Sequence, residues 1–198
     1  MSVISYKNFD FTKLEFGNVK VSKSGPRTIY FDYPNQEQTL FQTPKSNVTF
    51  NPYDTNFCIT ADESLESKLR ELETHIINNA VKNSSEWFGG VKSKDEVESM
   101  FVSILSKTSG DFPPFVRVNF THGCEIYNNE ADMVDNDAIT RGTQVRLILK
   151  FVKLYIKEKD GKLVMRCNFD LIQVRISEKV VDSAKLTSYA FVDSDDDE

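Results

Sequence analysis

Two long runs rich in Val, Ile, Leu and Phe meet at one Asp-Gly: "GTQVRLILKFVKLYIKEKDGKLVMRCNFDLIQVRI", residues 142–176. Asp-Gly between apolar runs is the strongest short-range signal for a β-hairpin, because both turn residues must adopt positive φ. The pattern predicts two strands of about 15 residues each with Asp160-Gly161 at the tip. Strands of that length belong to a curled sheet or a small barrel, where one ribbon closes the wall.

The rest of the chain fits around such a ribbon. Residues 1–16 alternate weakly and read as an arm or an edge strand. "GNVKVSKSGPRTIYFDYP" (17–34) reads as two short strands broken by Ser24-Gly25-Pro26, a turn signal. Residues 35–55 read as loop with short strand pieces, and "FCIT" (57–60) as a strand. The period then changes. Leu65, Leu69, Leu72, Ile76 and Ala80 fall at helical spacing, with Thr60 and Glu63 as a capping box. A second helix is predicted over 94–106, capped by Ser93 with Glu96 three residues on. "FVRVNFT" (115–121) and "CEIY" (124–127) return to strand, and 128–140 is an acidic loop. The order predicts a mainly β chain with inserted helices: an OB-fold-like five-stranded barrel, one or two α-helices, a long closing hairpin and a disordered acidic C-terminal tail. The expected organisation is an N-terminal arm (1–16), a barrel domain (17–181) with a helical insertion at about 61–107, and a flexible tail (182–198).

Charge is segregated along the chain. The net value is −6, but the last eight residues, "FVDSDDDE", hold Asp193, Asp195, Asp196, Asp197 and Glu198. Residues 141–179 hold ten Lys/Arg against four acids, whereas 121–140 hold five acids and no Lys or Arg. Such blocks build local fields that the net charge hides. Fifteen Phe and seven Tyr form an excess that needs either a core or a stacking surface. Three widely spaced cysteines point to a reducing, intracellular compartment rather than a disulfide framework. No run of 18 apolar residues exists and the start lacks a signal-peptide pattern, so no membrane association is expected.

Enzyme signatures are absent: there is no phosphate loop, nucleophile elbow, His-Glu-x-x-His or Cys-x-x-Cys. His75 reads as a surface residue on the polar side of its helix. His122 and Cys124 could form a pair, but Gly123 between them reads as a turn, and a thiolate nucleophile needs an orienting group and an oxyanion site. Asp132, Asp135 and Asp137 lack the Gly and terminal Glu of a calcium loop, so a solvated loop is expected. The expectation is a non-enzymatic protein with no cofactor and no metal.

The basic hairpin carries more information. Strict alternation places Arg146 and Lys150 on one face and Lys153, Tyr155 and Lys157 on the other. Lysines snorkelling on the wet side of a ribbon explain part of this. A groove that neutralises phosphates, with tyrosines as stacking platforms, explains it as a single-strand binding surface.

Two motifs carry a resemblance: "GPRTIYFDY" (25–33) and the closing hairpin "GTQVRLILKFVKLYI…GKLVMRCNFDLIQVRI". Together with the element order and the acidic tail they resemble the podophage replication single-stranded DNA-binding protein family, whose relatives occur in nucleocytoplasmic large DNA viruses. The resemblance implies that Arg27, beside Tyr30, and Arg117 in "FVRVNF" contact DNA; the basic hairpin, read from its own residues, adds Arg146, Lys150, Lys153, Tyr155 and Lys157 as expected DNA contacts. It also implies two stacking aromatics at the end of the hairpin's first strand. Counted without gaps, Leu154 and Ile156 fall there and Tyr155 is one residue out of phase, so either a bulge corrects the register or stacking comes from elsewhere. The expected function is single-stranded DNA binding in viral DNA replication and recombination. The tail is expected to occupy the basic groove until DNA displaces it, then to reach replication proteins such as polymerase or helicase-primase. The family's tail ends in an aromatic, whereas here Phe191 precedes the acids. Expected locations are the host cytoplasm (viral factory) or nucleus, with packaging in the virion and a homodimer left open. The alternative is a non-enzymatic virion or assembly protein using the barrel as an interaction module.

Overall fold

The fold comes from a computed structural model, which describes residues 3–35, 38–49, 56–107 and 112–178; the acidic tail lies outside the described residues. The described residues form twelve strands: β1 Ile4–Ser5, β2 Glu15–Phe16, β3 Lys20–Val21, β4 Arg27–Asp32, β5 Leu40–Gln42, β6 Ser46–Asn47, β7 Asn56–Thr60, β8 Phe101–Val102, β9 Leu105–Ser106, β10 Phe115–Tyr127, β11 Gln144–Lys159 and β12 Lys162–Glu178. The helices are α1 Glu63–Lys82, α2 Ser84–Phe88 and α3 Lys94–Met100.

The Asp160-Gly161 hairpin is the spine. Both residues have positive φ, 54° and 73°, the signature of a type I′ turn whose twist suits two antiparallel strands. The strands it joins are 16 and 17 residues long. β11 is long enough to serve two sets of partners on its free edge: its first half pairs with β5 and β6, its second half with β4. On the other side β12 runs parallel to β10, which pairs antiparallel with β7. β2 and β3 extend the sheet from β4.

The expected five-stranded barrel is not closed. The ladders form one large sheet in the order β1-β5-β11-β12-β10-β7, with the remaining strands branching from it. Between β6 and β7 there is an isolated bridge, Val48 with Ile59, backed by the Thr49 N–H donating to the Cys58 carbonyl at 3.0 Å. Among the described residues there are three α-helices rather than one or two. The predicted helix over 94–106 stops at Met100, because Phe101 and Val102 find backbone partners at Met165 and Arg166 of β12; tertiary pairing overrides local propensity. Its start is as predicted: Ser93 and Glu96 form a full capping box, and the Ser93 N–H holds the Glu96 carboxyl below its usual range. α1 is capped by Asp62, not Thr60. Thr60 ends β7 and its hydroxyl accepts from the Asn47 N–H instead. "FVRVNFT" and "CEIY" are one strand, β10, broken in register between Phe120 and Glu125.

The core lies on one side of the ribbon. Leu65, Leu69, Leu72, Ile76 and Ala80 of α1 are buried against it, as their spacing predicts. Most of the Phe excess goes here. Phe151 of β11 touches Phe9 (centroids 5.4 Å apart), Phe41 (5.8 Å) and Phe169 (4.9 Å), and Phe9 touches Phe11 (4.9 Å). Phe9, Phe11 and Leu14 are fully buried, so residues 9–14 are built into the core rather than trailing from it. Each buried ring contributes about 1.5–3 kcal/mol through area removed from water, and each ring pair about 0.5–1.5 kcal/mol more. His75 is not a free surface residue: its Nε2 lies 3.1 Å from the Leu14 carbonyl and its ring 5.5 Å from that of Phe16.

Candidate nucleic-acid interface

The site depends on one irregularity in β11. Val145, Leu147, Leu149 and Phe151 are buried, at odd positions; Leu154 and Ile156 are buried at even ones. The pairing explains the change. Phe151 faces Phe169 and Lys153 faces Asn168, so Val152 is an extra residue with no partner on β12. A bulge of this kind shifts every later side chain to the other face. The expected split of the basic residues over two faces is thereby overturned. Arg146, Lys150, Lys153, Tyr155 and Lys157 all share the outer face, opposite the core. Tyr155 is in phase with the lysines because the bulge supplies the missing residue. β12 keeps step through its own extra residue, Ile172, so Arg166, Asn168, Asp170, Gln173 and Arg175 also face outward.

Neighbouring strands complete this face. Tyr30 of β4 lies directly across from Lys153, and Thr28 across from Tyr155. Tyr30 is 42% exposed, and the Lys20 Nζ from β3 sits 4.9 Å from its ring centroid. Tyr30 and Tyr155 are diagonal neighbours, with backbones about 7–8 Å apart. In the lateral direction Lys20, Thr28, Tyr155 and Arg166 form one row across β3, β4, β11 and β12. Arg146 stands opposite Arg175, a like-charge pair that the ladder holds side by side.

Two expected contacts sit elsewhere. Arg27 shares its phase with the buried Ile29 and Phe31, not with Tyr30. Its guanidinium reaches toward Gly89, where an added Cβ would come within 3.6 Å of Nη2. Gly89, at φ 79°, ends α2, so Arg27 stands at a helix C-terminus, where a cation is favourable. Arg117 is exposed on the outer side of β10, its guanidinium carbon 5.4 Å from the Phe115 centroid. It makes no ion pair with Glu71 or Glu98, which are held by Lys68 and Lys94.

The charge balance of the face is one-sided. The ion pairs among the described residues are Lys13–Asp10, Lys68–Glu71, Arg70–Glu66, Lys92–Glu96 and Lys94–Glu98, all on or beside helical segments. Lys20, Arg146, Lys150, Lys153 and Lys157 have no carboxylate within 4.0 Å among the described residues. Asp170 faces Lys150 across the ladder, but its carboxylate accepts from Asn119 Nδ2 at 3.2 Å. Lys20, Arg166 and Arg175 were not singled out from sequence. The signal for Lys20 was the Ser24-Gly25-Pro26 turn, which folds β3 back onto β4.

The Cys124 thiol is an unsuitable nucleophile. Burial first, and the Glu125 carboxylate second, push it up to about 12. Burial also raises Cys58 and Cys167. The acidic loop closes on itself: Asn128 Oδ1 accepts from the Glu130 and Asp132 N–H groups at 2.9 and 2.8 Å.

The chain is similar in fold to the single-stranded DNA-binding protein from bacteriophage Enc34 in complex with ssDNA, at 12% identity and a TM-score of 0.44 over 83% of this chain and 92% of that one. A second structure of the bacteriophage Enc34 protein is 12% identical at a TM-score of 0.45, over 86% and 95%, and a C-terminal truncation of it gives 12% and 0.45 over 84% and 95%. No curated protein matches the sequence. The model of a family of unknown function, DUF5871, matches residues 49–193, from the approach to β7 through the whole ribbon; the chain belongs to that family.

Proposed function

We propose that this chain binds single-stranded DNA without strong sequence preference along the outer face of the β11–β12 ribbon. The supporting observation is the Val152 bulge. It brings Arg146, Lys150, Lys153, Tyr155 and Lys157 onto one face with Lys20 and Tyr30, and these cations lack carboxylate partners among the described residues. Cations along a track supply backbone affinity, and exposed aromatic rings stack on any base. A role in viral DNA replication and recombination rests on the resemblance of the two sequence motifs. On this reading the five C-terminal carboxylates compete for the same face, and truncation after Val192 raises affinity, most at low salt.

The test is anisotropy of labelled oligo-dT with the tail-truncated chain at several salt concentrations. With about four phosphates neutralised, log K falls against log[salt] with a slope of about −3. Absence of binding at low salt defeats the proposal. It would leave the virion or assembly role as the surviving alternative, which predicts abundance in purified particles.

A further inference from the structure

The parallel pairing of β10 and β12 starts at Asn119–Asp170 and runs on through Tyr127–Arg175. Before that point the two strands diverge, and residues 101–106 are wedged into the fork. β8 pairs with β12 on one arm and β9 with β10 on the other. From beneath, Glu73 of α1 pins the turn between them: its Oε1 accepts from the Ser103 hydroxyl at 2.7 Å and the Ile104 N–H at 2.6 Å. Against the wedge lies a pocket of about 340 Å³ whose polar lining is Ser103, Ser106, Arg117, Asn119, Arg166 and Asn168, with Val102, Ile104, Cys167 and Phe169 completing the wall.

Four features suit this pocket to an anion at a chain end. Its two guanidinium groups come from opposite arms of the fork, and neither has a carboxylate within 4.0 Å among the described residues. Unpaired cations converging in a concavity focus a positive field, and arginine's planar fork matches phosphate oxygens two at a time. The pocket opens onto the strand path, because Arg166 stands beside Tyr155 and Asn168 beside Lys153 in the ladder. It leads no further, because the wedge fills the fork. A through-running strand needs an exit, and a terminus does not. The volume lies at the lower end of small-ligand sites, which suits one nucleotide. We infer that this pocket binds the terminal phosphate of a single strand, Arg117 and Arg166 clasping a phosphomonoester. At neutral pH that group carries about −1.5 to −2 charge, more than the single charge of each internal phosphodiester.

The inference rests on the proposed single-strand path, and the experiment separates the two. The full chain is titrated with three dT octamers: 5′-phosphorylated, 3′-phosphorylated, and hydroxyl-ended at both termini. One phosphorylated octamer binds about tenfold tighter than the hydroxyl-ended one, the scale of a hydrogen-bonded charged group. The preferred end gives the polarity. Arg166→Gln brings that ratio close to one, and Arg117→Gln on the opposite arm does the same. Equal binding of all three octamers overturns the pocket while leaving the sheet path standing. Equal gains from either end indicate general charge and also overturn it, as does a preference that survives both substitutions. If no octamer binds even to the chain truncated after Val192, both the pocket and the path are overturned.

Discussion

On the helices, Lys68 lies 2.9 Å from Glu71 and Arg70 2.6 Å from Glu66; on the outer face of the sheet, Lys150, Lys153 and Lys157 have no such partner among the described residues. Lys68, Arg70 and Lys94 each sit three or four residues from an acid, where a helix brings side chains together, so each finds its partner within its own helix. On a strand the neighbours are lateral. Lys153 faces Tyr30 on one side and Asn168 on the other, and Tyr155 faces Thr28 and Arg166. The helical cations Lys68, Arg70 and Lys94 are neutralised within their own helices, and the outer-face cations of the sheet are not, among the described residues. Charge count and the spacing of partners both separate these regions: the helices hold eight acids against four Lys/Arg, and residues 141–179 hold ten Lys/Arg against four acids.

Phe151→Ala probes what lies beneath both regions. It empties the middle of the aromatic cluster and costs about 3–5 kcal/mol, seen as a lower urea midpoint at unchanged slope. Loss of single-strand affinity without loss of stability would show the cluster to be part of the binding face. Next in size is the sheet itself. Lys150→Ala, Lys153→Ala and Lys157→Ala together lower the salt slope of single-strand binding by about 2 and shift stability by no more than about 0.5 kcal/mol. An unchanged slope would break the contrast with the helices. Tyr155→Ala, at the bulge-corrected position, weakens binding by about 1–3 kcal/mol per stacked base; the isothermal titration should show no change in salt slope. Breaking a helical pair is smaller still. Arg70→Ala costs about 0.3–0.5 kcal/mol and leaves oligonucleotide affinity as it was.

A separate effect, read only at alkaline pH, concerns Cys124. In the unfolded chain its thiol ionises near its ordinary value, 9.0, and in the fold it holds its proton to about 12. Between those values the folded state binds more protons than the unfolded one, so stability falls as pH rises. Cys124→Ala flattens that fall in denaturation curves taken between pH 9 and 11, and thiol labelling of the native protein at pH 8 is slow.

Much of the fold was legible. Asp160-Gly161 placed the ribbon's tip, the Leu65–Ala80 spacing placed α1's buried face, and Ser93 with Glu96 placed the start of α3. These are local signals, read within a few residues of each other. The site was harder to read. In "LILKFVKLYIK" the buried positions are Leu147, Leu149 and Phe151, then Leu154 and Ile156. The step of three from Phe151 to Leu154 is the trace of a bulge. It is masked because Val152 is apolar as well, and an apolar residue fits either face.

The amino-acid order alone thus determined where the hairpin turns, which helix face is apolar and where positive charge concentrates. Each follows from φ preferences, side-chain periodicity or composition. Only the tertiary structure decided which charges stand together. One unpaired residue at Val152 sets the phase of everything after it, and that residue is unpaired because Phe151 and Leu154 must both reach the same core. The same long-range pairing turned Arg27 away from Tyr30, set Arg166 beside Tyr155, and opened the fork between β10 and β12 into which residues 101–106 are wedged.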